Sequence, residues 1–345
     1  MRKKYFVALI LVMALLLTAC RTEPNKSGDN NPTKANGITI GMSFDSFVIE
    51  RWIRDRDVFV STANGLGAEV NVQSANGDVA TQISQIKYFI KSRVDAIVIV
   101  TIDSDALTPA IEEAENAGIP VVCYDRIVRN AGCSLYISFD NEAVGKAMGT
   151  SICGKVSDGA NIVKVMGPKT DYNVDQVMAG FDKACKDHKL KVLAECNCDE
   201  WKPEIAYEFI NNNFDTIKEA EAIMCGNDAL AGEVIHALAE RGLSSKIFTV
   251  GQDADLEACQ RIVEGTQTMT VYKPFERLAK RAAECAIALA RGEALTGDDI
   301  TTINDGSFDI PYIGLDPIAV TAENMDEVII NSGFHLKEDV YLYAR

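Results

Sequence analysis

Histidine is scarce in this chain. The three residues His188, His236 and His335 lie far apart, and Cys196-Asn197-Cys198 is the only close cysteine pair. That leaves no recognisable metal-ligand spacing. No His stands beside a plausible nucleophile, which removes the usual paired activation of Ser or Cys. Glycine-rich phosphate loops are missing as well. Neither G-x-G-x-x-G after the first strand nor G-x-x-x-x-G-K-[ST] occurs, so no nucleotide cofactor is indicated. Cations are outnumbered, with 34 Lys and Arg against 50 Asp and Glu and a formal charge of −16. Phosphate-backbone binding depends on clustered cations, so nucleic acid is not an expected partner. Such a charge suits a soluble protein that must not adhere to anionic lipid.

A long apolar run is found only at the N-terminus. Arg2, Lys3 and Lys4 precede a nearly continuous apolar stretch over 6–17, shorter than the ~20 residues a spanning helix needs. It ends in Leu17-Thr18-Ala19-Cys20. The order of basic segment, apolar segment and small residue before Cys reads as a signal peptide over 1–19. The ending resembles the bacterial lipobox, which implies cleavage before Cys20 and a diacylglycerol on its sulfur. Residues 21–36 lack any aromatic or branched aliphatic side chain, so 20–36 reads as a flexible, lipid-attached tether. The expected location is extracytoplasmic, on the outer face of the cell membrane. Loss of the three N-terminal cations takes the formal charge to about −19. Nine cysteines remain, and Cys123 and Cys225 lie in apolar runs as small core residues. Disulfides are compatible with export, but sequence alone leaves their pairing open.

From Gly37 onward, short apolar runs alternate with helical periodicity. Strands are expected at 38–42, 68–73, 96–100 and 119–124, with helices at 48–66, 79–92 and 105–117. The second half repeats the scheme, with strands at 161–165, 190–196, 222–225 and 246–250. Its helices are expected at 173–187, 203–213, 228–241 and 254–264. Fully apolar strands between helices imply parallel sheets covered on both faces. The predicted fold class is α/β, with two similar doubly wound domains.

In such sheets ligands bind beyond the carboxyl ends of the strands. Those tips carry Asp125-Arg126, Asp171-Tyr172-Asn173, Asn227-Asp228 and Gln252-Asp253. Each could instead be a helix cap, since Asp and Asn favour that position. Four polar tips together favour a shared cleft. A glycosidase pair would need one carboxyl held protonated, whereas Arg51, Arg126 and Lys273 would keep these carboxyls ionised. A neutral sugar explains the set better, because each hydroxyl both donates and accepts. The only two tryptophans, Trp52 and Trp201, would suit the apolar C–H face of a pyranose.

The residues that carry a family likeness run in order from about 38 to 338. They include Glu50-Arg51-Trp52, Gln73-Ser74-Ala75-Asn76-Gly77, Tyr124-Asp125-Arg126 and Ile137-Ser138-Phe139-Asp140-Asn141-Glu142. Further stretches are Asn227-Asp228-Ala229, Gly251-Gln252-Asp253-Ala254-Asp255-Leu256 and the run from Gly265 through Tyr272-Lys273-Pro274. Together they resemble the D-xylose-binding branch of the type I periplasmic sugar-binding proteins of bacterial ABC transporters. The resemblance implies two α/β lobes joined by three hinge crossings, near 139–142, 271–274 and 303–310. It implies an N-terminal lobe of 37–140 plus 274–306 and a C-terminal lobe of 141–273 plus 307–345. Sugar contacts carry over to Arg51, Trp52, Asp125, Arg126, Asp171, Asn173, Trp201, Asn227, Asp228, Asp253 and Lys273. The implied ligand is a monosaccharide, D-xylose first and D-glucose or another pyranose next, and the implied partner is a transporter permease. No catalytic residue, cofactor or metal is implied. The chain departs from the family around Gly167-Pro168-Lys169-Thr170-Asp171-Tyr172-Asn173, where the family has a smaller, glycine-rich approach and an Asn in place of Tyr172. That difference bears on sugar identity rather than on sugar binding. A sensor that presents its closed form to a membrane kinase or chemoreceptor is the alternative role. A repressor of related fold would need a DNA-binding helix pair where 1–36 offers a signal and tether.

Overall fold

The computed structural model describes residues 37–343. The signal peptide, Cys20 and the tether lie outside the described residues. The expected alternation is present. Strand β1 (Ile38–Phe44) leads to α1 (Arg51–Gly65), β2 (Ala68–Ser74), α2 (Val79–Ser92), β3 (Ala96–Ile99), α3 (Thr108–Asn116) and β4 (Val121–Tyr124). Strand β5 (Leu135–Phe139) follows, and the chain then enters α4 (Asn141–Cys153). Next come β6 (Asn161–Met166), α5 (Tyr172–Cys185), β7 (Lys191–Asn197), α6 (Pro203–Asn212), the short α7 (Phe214–Ile217), β8 (Ala222–Cys225), α8 (Asp228–Ala239), β9 (Phe248–Val250) and α9 (Leu256–Glu264). Strand β10 (Thr270–Tyr272), helix α10 (Phe275–Ala290) and strands β11 (Ile300–Asn304), β12 (Asp309–Leu315) and β13 (Ile318–Val320) complete the sheets.

Seven strands form the first sheet in the order β11-β12-β5-β4-β3-β1-β2, and four form the second in the order β7-β6-β8-β9. All pairs are parallel except the β11–β12 hairpin and a separate two-stranded ribbon of β10 with β13. Every residue of β3, β4 and β8 is buried, as strands covered by helices on both faces require. The described residues include no helix long and apolar enough to cross a membrane.

The chain passes between the sheets after β5 and between β10 and α10, close to two of the expected crossings. The third passage differs. Strand β12 pairs with β5 in the first sheet, from Tyr312 with Tyr136 to Leu315 with Phe139. The crossing therefore falls at Asp316-Pro317, ahead of β13, and not near 303–310. Residues 307–315 belong with the first lobe rather than the second. The reason is local: β11 and β12 are joined by a four-residue turn held by Asp305, whose carboxylate accepts from the Ser307 and Phe308 amides at 2.9 and 2.8 Å. A tight hairpin keeps both strands on one sheet.

Helices α4 and α5 pack unusually closely in the second lobe. A methyl group on Gly145 would lie 1.8 Å from the Val177 carbonyl oxygen, and one on Gly180 would lie 2.0 Å from that of Glu142. Only glycine permits this backbone-to-backbone contact. It fixes the position of α5, whose N-terminus carries Asp171 and Asn173.

Candidate functional site

The site is assembled where the strand tips of both sheets face each other. Helix α1 begins at Arg51, so Arg51 and Trp52 enter the cleft from its first turn. Arg51 is buried, and three carboxylates surround it. Asp125 lies at 2.8 Å, Asp55 at 3.1 Å and Asp253 at 3.7 Å. Its guanidinium also stands 4.5 Å above the Trp52 ring. Burial opposes its charge, but these three carboxylates outweigh burial and hold its pKa well above the usual value. Burial likewise pushes the Asp125 carboxyl up, but Arg51, Lys273 and Arg126 together bring it below the usual range. Asp55 is raised, because burial there exceeds the pull of Arg51.

Arg126 makes the second set of contacts. It pairs with Asp45 of its own lobe at 2.8 Å and with Asp171 of the other at 2.7 Å. The same Asp171 oxygen accepts from Trp201 Nε1 at 3.2 Å. Asn173 Nδ2 donates across the cleft to the Asp125 carbonyl at 3.0 Å. Lys273, at the second crossing, lies 3.4 Å from Asp253. The two lobes are thus closed on each other over the site.

The carboxylates of Asp45, Asp55, Asp125, Asp171 and Asp253 outnumber the cations Arg51, Arg126 and Lys273 across these two neighbouring clusters. An anionic ligand would enter against a surplus of negative charge. A neutral ligand rich in hydroxyl donors would not. Two buried polar atoms on lining residues, Trp52 Nε1 and Gln252 Oε1, have no hydrogen-bond partner within the protein, and a third, Asp253 Oδ1, is held only by longer ion pairs to Lys273 and Arg51. Buried polar atoms are seldom left so, which points to a ligand that supplies both an acceptor and donors.

Three site residues hold strained backbone, with φ of 64° at Asp125, 58° at Trp201 and 99° at Asp253. Non-glycine residues seldom adopt positive φ, and such strain gathers at ligand clamps. Gly167 makes room for the Trp201 indole, since a methyl group there would lie 2.3 Å from the ring.

Ten of the eleven sugar contacts expected from sequence line this one cavity: Arg51, Trp52, Asp125, Arg126, Asp171, Asn173, Trp201, Asn227, Asp253 and Lys273. Asp171 and Asn227 are helix caps as well, accepting from the Asn173 and Leu230 amides at 3.0 and 2.9 Å. Cap and site are therefore not exclusive readings at these two tips. Asp228 is different. Its carboxylate accepts from Thr270 Oγ1 at 2.6 Å, Gln267 Nε2 at 2.7 Å and the Asp255 amide at 3.2 Å, and it does not line the cavity. It supports the segment that carries Asp253 from behind. Tyr172 also lies outside the cavity, its ring 4.8 Å from the Arg129 guanidinium.

Sequence reading missed the apolar part of the lining, which includes Met166, Val174, Val177, Met178 and Met224, and it named Gln252 at a strand tip without counting it among the sugar contacts. Gln252 was visible beside Asp253. Val174, Val177 and Met178 have the spacing of an ordinary core-facing helix stripe, so nothing distinguished them from packing residues.

Two α/β lobes closed over a buried, hydroxyl-matched cavity define a ligand-binding receptor of the hinge-closing class. The chain belongs to the periplasmic binding protein family, whose domain matches residues 40–294. It is 41% identical over 309 residues to a D-xylose-binding periplasmic protein of Haemophilus influenzae, covering 88% of this chain and 92% of that one. It is 40% identical to the D-xylose-binding periplasmic protein of Escherichia coli, covering 97% and 98%. Among solved structures, an ABC transporter solute-binding protein of Clostridium phytofermentans with bound β-D-glucose superposes with a TM-score of 0.79 at 25% identity. That match covers 88% of this chain and 99% of the other.

Proposed function

We propose that this protein captures a single neutral monosaccharide, D-xylose, outside the cytoplasm and delivers it to an ABC transporter. The observation that carries the reading is the cross-lobe network itself. Arg51, Arg126, Lys273 and Trp52 Nε1 offer donors, Asp125, Asp253 and Gln252 offer acceptors, and all border one enclosed space. A pyranose matches this set, because each hydroxyl can accept from a cation and donate to a carboxylate. Trp52 and Trp201 would cover its C–H faces. The relatives at 40 and 41% identity are named for D-xylose binding, which favours that sugar over D-glucose. Acylation of Cys20 and the 20–36 tether would hold the receptor at the membrane beside its permease.

Closure would follow from differential binding. A ligand that contacts both lobes stabilises the closed form over the open one. The test is isothermal titration of the purified protein with D-xylose, D-glucose and L-arabinose. The expected result is tightest binding of D-xylose, and no heat with any of the three would sink the reading. Mass spectrometry of protein made in a bacterial host that processes lipoproteins tests the anchor, with a diacylglycerol-bearing Cys20 at the mature N-terminus expected.

A further inference from the structure

We propose that Cys123 and Cys133 form a disulfide that closes the base of the loop presenting Asp125 and Arg126. Cys123 lies in β4, two residues before Asp125, and Cys133 lies two residues before β5. Both are buried, and their sulfurs stand 2.9 Å apart as free thiols. The chain between them is compact. It takes positive φ at Asp125, Asn130 and Gly132, and the Ala131 and Gly132 amides donate to Asp305 at 3.0 and 2.8 Å. Both ends of a strained ligand loop therefore meet at this sulfur pair.

The chemistry is a two-electron oxidation by thiol–disulfide exchange. One thiolate attacks a small-molecule or protein disulfide and releases one thiol. The second cysteine then displaces the other, forming the Cys123–Cys133 bond. The two thiols lose two protons and two electrons, and the oxidant leaves as two thiols. A compartment outside the cytoplasm supplies such oxidants. The hydrogen bond from its partner and then burial push the Cys133 thiol well above its usual range, so little thiolate forms in the folded protein. Exchange belongs to folding, before the loop packs. None of this depends on which sugar binds.

The test compares protein refolded with a mixture of oxidised and reduced glutathione against protein refolded in a dithiol reductant. Each sample is alkylated in denaturant and digested with trypsin. Cleavage after Arg93, Arg126, Arg129 and Lys146 puts Cys123 and Cys133 on separate peptides, 94–126 and 130–146, each with one cysteine. The expected result is one linked species of these two peptides, lighter by two hydrogens than their sum, in the oxidised sample only. The oxidised protein should also melt about 5 °C higher, the scale of a typical disulfide in a chain of this size. A Cys133→Ser variant should melt at the same temperature in both buffers. Full alkylation of both peptides after oxidation, or linkage of either to another cysteine, overturns the proposal. A linked pair with an unchanged midpoint overturns its clamping role.

Discussion

Asp228 is held by Thr270, Gln267 and the Asp255 amide, with no cationic side chain bonded to its carboxylate. Burial drives its pKa up to about 7, against the pull of Thr270 and Arg261 and with the help of Asp253. An unfolded Asp titrates near ~3.9. The folded state therefore binds the proton more tightly, and its contribution to stability is complete below about pH 4 and lost as pH rises to about 7. Urea midpoints measured across that range should fall for the wild type relative to Asp228→Asn, whose amide does not titrate. A constant difference between the two proteins would count against the raised pKa. Trp201 supports a different expectation. It is buried, donates to Asp171 and packs against Gly167. Trp201→Ala should weaken sugar binding more than tenfold by calorimetry, since loss of a buried aromatic anchor usually costs over ~1.4 kcal/mol. Gly167→Ala should weaken it too and shift the tryptophan emission, because its methyl group displaces the indole.

Among the elements, the α4–α5 contact leaves the least freedom. Gly180→Ala inserts a methyl group where the Glu142 carbonyl stands, and overpacking of this kind costs about 1–3 kcal/mol. Chemical denaturation should show the loss, with sugar affinity falling as α5 and its Asp171 shift. The elements most legible in the sequence were those built on local pattern. Helix α2 and strand β8 have their expected bounds, and helix α6 ends one residue early. The β11–β12 hairpin was not legible. Strand β11 is largely exposed, and the apolar residues of β12 are interrupted by Pro311 and Gly314, so neither shows the unbroken apolar run that marked the other strands. The hairpin's place beside β5 depends on partners more than 150 residues away, which no local window contains. The polar site was readable because strand tips and their acids stand together in sequence. Asp228 misled because its neighbour Asn227 faces the cavity, while the backbone turns the next side chain the other way.

For the molecule as a whole, the ion pair of Arg126 with Asp171 and the hydrogen bond of Asn173 to Asp125 tie the lobes together only when they are closed. Small-angle scattering should show the radius of gyration fall on adding saturating D-xylose. Thermal unfolding should shift upward at the same time, by the equivalent of about 2.7 kcal/mol at a hundredfold excess over Kd. Asp171→Asn weakens the Arg126 pair and should reduce both changes. An unaltered scattering profile with tight binding would mean that the closed form dominates without sugar.

The double duty of Asp171 and Asn227 limits how this receptor could be retuned. Each starts a helix, so replacing either to reshape the cavity would loosen the scaffold as well. Met166, Met178 and Met224 cap no helix, and their thioethers both line the cavity and pack into or against the core. A library aimed at new selectivity would therefore keep the polar tips intact and exchange the three thioethers only for apolar side chains of similar volume, the change that packed cores tolerate best.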